Sequence, residues 1–240
     1  MRYLIPLAGM GRRMGRTHTG IPKCLIEIDG ERLIERLLRQ IRKHDMKADI
    51  HVVLGYKSEV VAPLVDGCRI FVNPFFDITG INASLWFARE SFDQPLMIIH
   101  GDVVLSDELA ADLFATETES VVAYDSSILD PNEFNIAVAS DHVTRFGVNF
   151  SGYSGAYACV LKLSAHAARL FVDTLDRRMR RGFNDSRTYY SSIIRKLIAD
   201  TDVVFVPFDF ARYRWKEIDH FDDIAIARAR ICGRGNVDTC

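Results

Sequence analysis

Residues 5–30 read "IPLAGMGRRMGRTHTGIPKCLIEIDG". A short apolar run breaks into a turn carrying Gly9 and Gly11, then Arg12, Arg13 and Arg16, and the polar stretch reaches Lys23 before apolar residues return. Three structures could use such a stretch: a dinucleotide-binding turn, another kind of phosphate cradle, or a polar loop. Glycines can take positive φ and let backbone N–H groups come close to a phosphate. A dinucleotide fingerprint would put a third glycine at position 14, where Met14 stands, and an acid about 20 residues further on. A Walker A loop would end in Gly-Lys-Ser/Thr, which is missing. What is left is a long loop whose backbone donors and side-chain cations suit a polyanion.

The flanking sequence says where that loop sits. "RYLIPLA" before it and "ADIHVVLG" (residues 48–55) after it are short runs bounded by glycine, as buried strands are. Between them "ERLIERLLRQIRKH" sets Leu33, Ile34, Leu37, Leu38 and Ile41 at helical spacing, with basic residues in the last turn where the helix dipole favours them. "EVVAPLV" reads as a short helix, "CRIFVN" as a strand, "NASLWFARESF" as a helix, and "QPLMIIHGD" as a buried strand ending in Gly101-Asp102. Such alternation predicts a parallel sheet flanked by helices, with ligands bound beyond the carboxyl ends of the strands. After residue 115 the runs "SVVAYD", "NIAVAS", "HVTRFG" and "SGAYACVLK" predict mixed or antiparallel strands. Helices over 164–181 and 189–200, a strand over 202–208 and a closing helix over 221–232 follow. The expected fold is α/β: a mostly parallel Rossmann-like sheet with a small mixed-β lobe. One domain is expected over residues 1–232, changing character near residue 115, with 233–240 as a flexible tail.

Composition narrows the function. The 240 residues are 48% hydrophobic and 26% charged, ordinary globular material, and the formal charge of -2 argues against a general nucleic-acid binder. No apolar run reaches the roughly 20 residues that span a bilayer. The N-terminal run "MRYLIPLAG" is too short for a signal peptide, so a cytoplasmic protein with free thiols is expected, without membrane insertion.

Leu7-Ala8-Gly9-Met10-Gly11-Arg12-Arg13-Met14 followed by Pro22-Lys23 resembles the signature of the nucleotidyltransferases that make nucleoside-diphosphate sugars and alcohols. Within that family the likeness is to bacterial phosphocholine and phosphonate cytidylyltransferases, carried also by "PKCLIEIDG", the "SL" helix and a closing "EID…DD". The resemblance covers residues 1 to about 230 and implies that 1–115 are mainly nucleotide-binding and 116–232, with the mixed-β lobe, mainly acceptor-binding. It implies a Mg²⁺-dependent transfer of CMP from CTP to a small phosphate or phosphonate acceptor with release of pyrophosphate. The alternative it leaves is a sugar-1-phosphate nucleotidyltransferase that uses UTP, dTTP or GTP to make a nucleotide sugar for surface polysaccharide. A homodimer is an open expectation.

The chemistry fits these residue types. A phosphate monoester has a second pKa near ~6, so it is already a nucleophile at neutral pH. The obstacle is bringing two polyanions together, which calls for fixed cations and a metal ion. By resemblance Arg13 holds the β and γ phosphates and Lys23 sits between the α-phosphate and the acceptor phosphate; the plain alternative is two solvated loop cations. Leu7, Ala8, Gly9, Met10, Gly11, Arg12 and Gly101 complete the expected nucleotide contacts. Asp102, at the mouth of a buried strand, is either a Mg²⁺ ligand or a helix cap. Glu217 and Asp219 in "WKEIDHFDDI" are the expected second source of metal ligands, two apart and thus on one face of an extended segment, while Asp222 and Asp223 open the last helix. The base-reading loop is expected in "NPFFDITGINASL" (residues 73–85), with Asn82 close to the base and Ser84 either binding nucleotide or capping the helix. Tyr153, Tyr189, Tyr190 and Trp215 are the aromatic candidates for the acceptor, a quaternary ammonium group being one that such rings would cage.

Overall fold

The computed structural model describes residues 1–14 and 20–232; Arg16 and the tail over 233–240 lie outside the described residues, as does the side chain of Arg12. Strand β1 (Arg2–Pro6) runs into the glycine turn, and a small hairpin, β2 (Glu27–Ile28) with β3 (Glu31–Arg32), leads to helix α1 (Leu33–His44). Then come β4 (Asp49–Leu54), α2 (Ser58–Val61), β5 (Arg69–Val72), α3 (Ile81–Phe87), β6 (Leu96–Ile99), β7 (Val103–Leu105) and α4 (Asp107–Phe114). The second half holds β8 (Val121–Asp125), β9 (Asn135–Ala139), β10 (His142–Gly147), β11 (Gly155–Leu163), α5 (Ala165–Arg181), α6 (Phe183–Ser186) and α7 (Ser191–Asp200). It closes with β12 (Val206–Asp209), β13 (Trp215–Glu217) and α8 (Asp222–Ala227).

The main sheet runs β10-β9-β11-β6-β1-β4-β5, with β8 beside β11 and β12 beside β8. Strands β6, β1, β4 and β5 are parallel to one another; β11 joins them antiparallel to β6 and carries the mixed strands of the second half. The protein is thus an α/β sheet of the kind the alternating sequence predicts. Its centre is dry: Leu4, Ile5, Val52, Val53, Leu96, Ile98 and Ile99 are fully buried. Helix α1 covers this centre with Ile34, Leu37, Leu38 and Ile41, while Leu33 packs in a separate cluster; all five are residues its helical spacing had selected.

Because the four parallel strands point the same way, their carboxyl ends deliver four loops to one edge: the glycine turn after Pro6, Gly55 after β4, Asn73 after β5, and His100-Gly101-Asp102 after β6. Backbone bonds lock them together. Leu7 N–H donates to Val53 at 2.8 Å, Tyr56 N–H to Ala8 at 3.1 Å and Asn73 N–H to Leu54 at 2.8 Å. A smaller apolar cluster secures the other wall of the edge. Met14, Ile26, Ile28 and Leu33 pack there with Val104, Ile218, Ile224, Ala227 and Ile231, so the segment bearing Lys23 is pressed against the segment bearing Asp219. Strand β13 pairs antiparallel with β7, Glu217 opposite Val103, and Ile218 N–H donates to Asp102 carbonyl at 2.9 Å.

Several elements differ from the expectation. The helix predicted over 82–92 is α-helical only as far as Phe87 and tightens to 3₁₀ over Arg89–Asp93. The strand predicted over 202–208 pairs only from Val206. Helix α4, strands β7 and β13 and the β2–β3 hairpin were not anticipated. Gly55 marks how tightly the loops are stacked: a Cβ there would sit 2.8 Å from both Ala8 Cβ and Phe76 Cβ and 2.9 Å from Ala8 carbonyl oxygen. Gly55→Ala should therefore cost about 1–3 kcal/mol by overpacking, seen as a lower urea midpoint; an unchanged midpoint would show that the cradle backbone yields without cost.

Candidate active site

The loops enclose a cleft of about 350 Å³ lined by the glycine turn, Arg13, Lys23, the Asn73–Ser84 region and His100-Gly101-Asp102. The turn keeps its backbone open: Gly11 has φ +61°, a left-handed conformation that side chains resist, and a Cβ on Gly9 would meet nothing within 4 Å. Leu7, Ala8, Gly9, Gly11 and Gly101 line the cleft; Met10, half-buried, is not part of its lining. Gly101 is closely packed: a Cβ would fall 2.0 Å from Leu7 Cδ2, so the Leu7 side chain would have to shift.

Opposite the turn stands a charged knot. Lys23 Nζ donates to Asp102 Oδ2 and to Asp219 Oδ1, each at 2.9 Å. Arg13 Nη1 meets Asp219 Oδ2 at 2.8 Å, so both oxygens of Asp219 are engaged. Burial alone would pull the Lys23 ammonium down, yet Asp102 and Asp219 more than reverse this and hold it above its ordinary value. Oxygens of Asp102, Glu217 and Asp219 approach within 4.8 Å of one another. Each ionised pair at that distance costs roughly 3–4 kcal/mol at an effective dielectric near 20. Burial, then the Asp102 and Asp219 charges, push the Glu217 carboxyl far above its usual range, and the Cys159 Sγ lies within 4.8 Å of it. Cys159 sits at a register shift in β11, with φ +60°.

These three acids fit a hard divalent cation. All three offer oxygen, and Oδ1 of Asp102 is buried without a hydrogen-bond partner, a donor set suited to Mg²⁺. When bound, such an ion supplies positive charge against phosphate oxygens. Asp102 is no helix cap: the N-cap of α4 is Ser106, which accepts from Leu109 N–H. Asp222 and Asp223 do open α8, and Asp223 also fixes the approach to Asp219 by accepting from the Asp219 and His220 N–H groups at 2.8 and 2.7 Å. A second group, His100, Cys159 and Glu217, also clusters within 4.8 Å, but His100 Nε2 is already engaged with the Tyr190 and Tyr189 hydroxyls at 2.8 and 3.3 Å.

At the other end of the cleft Ser84, buried, accepts from Asn73 Nδ2 at 3.1 Å and lines the wall with Thr79, Gly80 and Ile81. It is not a cap either, since the N-cap of α3 is Gly80. Asn73 spends its amide on Ser84, Thr79 and Phe75 N–H, which leaves the Ser84 hydroxyl proton as the donor available to a ligand. Asn82 is not in the lining: it is fully buried and donates to Thr188 Oγ1 at 2.7 Å.

The aromatic candidates divide. Trp215 is buried, its indole N–H spent on Asp125 at 2.7 Å, and Tyr190 is fully buried at the centre of a hydroxyl cluster with Tyr157, Tyr189 and His100. Neither offers a ring face to a ligand, which corrects the expectation that they contact the acceptor. Tyr189 is partly exposed and stacks on Phe134, centroids 4.5 Å apart; Tyr153 is partly exposed against Phe150. Sequence reasoning placed Asn73 and Thr79 within the expected base-reading loop without giving either a role, and passed over Cys159 as a site residue. Their roles come from pairing register and loop packing, for which no local spacing gives a signal.

Backbone and cations suited to a polyphosphate, facing oxygen ligands suited to a divalent ion, are the requirements of nucleotidyl transfer. The family comparison agrees: residues 4–142 match the MobA-like NTP transferase domain, and the chain belongs to that family of nucleotidyltransferases. Over 94% of its length the chain is 26% identical to the bifunctional IPC transferase and DIPP synthase of Rubrobacter xylanophilus, of which it covers 51%. It spans about half the length of that curated relative. The fold matches the CTP:phosphocholine cytidylyltransferase of Streptococcus pneumoniae with a TM-score of 0.78 at 21% identity, covering 95% of this chain and 97% of that one. It matches the inositol-1-phosphate CTP transferase of T. maritima with a TM-score of 0.71 at 17% identity, covering 98% and 97%. Among the described residues no helix is long and apolar enough to cross a membrane.

Asp102→Asn keeps the size of the side chain and removes its negative charge. The metal concentration for half-maximal pyrophosphate release should rise about tenfold or more; an unchanged titration would remove Asp102 from the metal site.

Proposed function

We propose that this chain transfers CMP from CTP to a small phosphate or phosphonate acceptor, with Mg²⁺ held by Asp102 and Asp219 and Glu217 beside them. The observation that carries the reading is the convergence of Arg13, Lys23, Asp102 and Asp219 in one ion-pair network, the first three of which line the glycine-rich cleft. An acceptor phosphate or phosphonate oxygen forms a bond to the α-phosphorus, the bond from that phosphorus to the bridging oxygen breaks, and pyrophosphate leaves with the electron pair. Because the acceptor is already anionic, the chain needs no general base. Arg13 holds the departing β and γ phosphates, and Lys23 bridges the α-phosphate and the acceptor.

Cytosine is favoured by the names of the similar proteins, two of which use CTP; the Ser84 hydroxyl offers a donor that the carbonyl oxygen of any pyrimidine accepts. Phosphocholine, 2-aminoethylphosphonate and inositol phosphate share what the site needs: a small body and one anionic phosphorus group. The test is pyrophosphate release with CTP, UTP, dTTP and GTP against these three acceptors and glucose 1-phosphate. The reading expects release with CTP and at least one of the three. Release confined to UTP, dTTP or GTP with the sugar phosphate would replace it by nucleotide-sugar synthesis, and triphosphate binding without any release would contradict enzyme activity altogether.

Lys23→Ala should cut turnover at least about a hundredfold while weakening triphosphate binding far less, because its position serves the meeting of two phosphates. Equal losses in turnover and in binding would reduce Lys23 to a simple anchor.

A further inference from the structure

The charged knot has an unusual balance. Every carboxylate oxygen of Asp219 is bonded to a cation of the protein itself, Lys23 on one oxygen and Arg13 on the other, and the same Lys23 holds Oδ2 of Asp102. Lys23 is nearly buried, with 13% of its side chain exposed, whereas Arg13 is largely exposed. The two cations that suit a polyphosphate are thus occupied by the two acids that suit a divalent ion. Neither ligand can take its full set of contacts until these pairs part.

We propose that Lys23 acts as a built-in counter-ion that occupies the divalent-cation position in the free protein, so that metal and polyphosphate each open the site for the other. The inference rests on the reading of this cleft as a metal-triphosphate site and adds how that site is regulated. The physical cause is an exchange of partners. Taking Lys23 from Asp102 and Asp219 leaves like charges within 4.8 Å of one another, which a metal ion relieves. Taking the metal's oxygens from Lys23 leaves a nearly buried ammonium without a partner, which a phosphate relieves. Each ligand pays part of the other's cost, and couplings between sites of this kind span about 5- to 150-fold in affinity. The orphaned Oδ1 of Asp102 shows that the ammonium satisfies the acids only in part, leaving one oxygen ready for a metal ion. The exposed Arg13 is the outer member of the exchange and parts first with least loss of burial.

The test measures Mn²⁺ binding to the full-length protein without nucleotide, by the electron paramagnetic resonance signal of the free ion. Lys23→Met removes the counter-ion and should tighten Mn²⁺ at least about tenfold relative to wild type, even though it abolishes turnover. Adding Asp102→Asn to that variant should erase the gain, which locates the ion. Arg13→Gln, at an exposed position that folding tolerates, should tighten Mn²⁺ in the same direction by a smaller factor and serves if the Lys23 variant does not fold. Equal or weaker Mn²⁺ binding in whichever of these variants folds overturns the proposal. Failure of the underlying reading looks different: wild type saturated with CTP would then retain no more Mn²⁺ than CTP does alone.

Discussion

The arrangement turns on one nearly buried ammonium. Lys23 is fixed between Asp102 and Asp219, residues 79 and 196 positions away along the chain, and those contacts are what join the first loop of the sheet to its last turn. The ion pairs alone would be poor reason for such closeness, since partly buried pairs give back much of their attraction in lost hydration. The distance is set by apolar packing instead. Met14, Ile26 and Ile28 on the Lys23 side and Ile218, Ile224 and Ala227 on the Asp219 side share a small core with Val104, and the three-residue ladder of β7 with β13 holds the acids in register.

That division of labour explains why the acids tolerate one another. Asp102 and Asp219 are held close by strands and turns with Lys23 between them, and the Glu217 carboxyl beside them is pushed up by burial and by their charges, so the cost of crowding is borne by the fold before any ligand arrives. Cys159, at a register shift in β11, sets its thiol within 4.8 Å of the Glu217 carboxyl. The glycine turn does the complementary work by offering nothing but backbone, and its neighbours Gly55 and Gly101 are small because Ala8, Phe76 and Leu7 already fill the space. A preorganised field of this kind is what transfer between two anions demands.

Long, periodic stretches of the chain were legible in advance. The apolar stripe of α1 and the buried runs of β1, β4 and β6 specify the parallel half of the sheet, and with it the place of the glycine turn. Strands β7 and β13 were not, because "VVL" and "WKE" are too short for any alternation to show. Helix α4 was missed although Ser106, Asp107 and Glu108 supply a start signal. In the site, the cations and acids could be named from their residue types, whereas their partners could not, since pairing is a property of register. Trp215 and Tyr190 show the opposite error: aromatic rings near a cleft in sequence order were read as ligand contacts, and burial with satisfied polar atoms made them structural.

The central claim is that one cleft gathers polyphosphate and divalent ion between the glycine turn and the acids. A crystal structure with CTP and Mn²⁺, with data collected at the manganese edge, examines it directly. The account predicts an anomalous peak between Asp102 and Asp219, with Arg13 and Lys23 moved onto phosphate oxygens. A triphosphate bound elsewhere, with Lys23 still joined to both acids and no manganese between them, would contradict it.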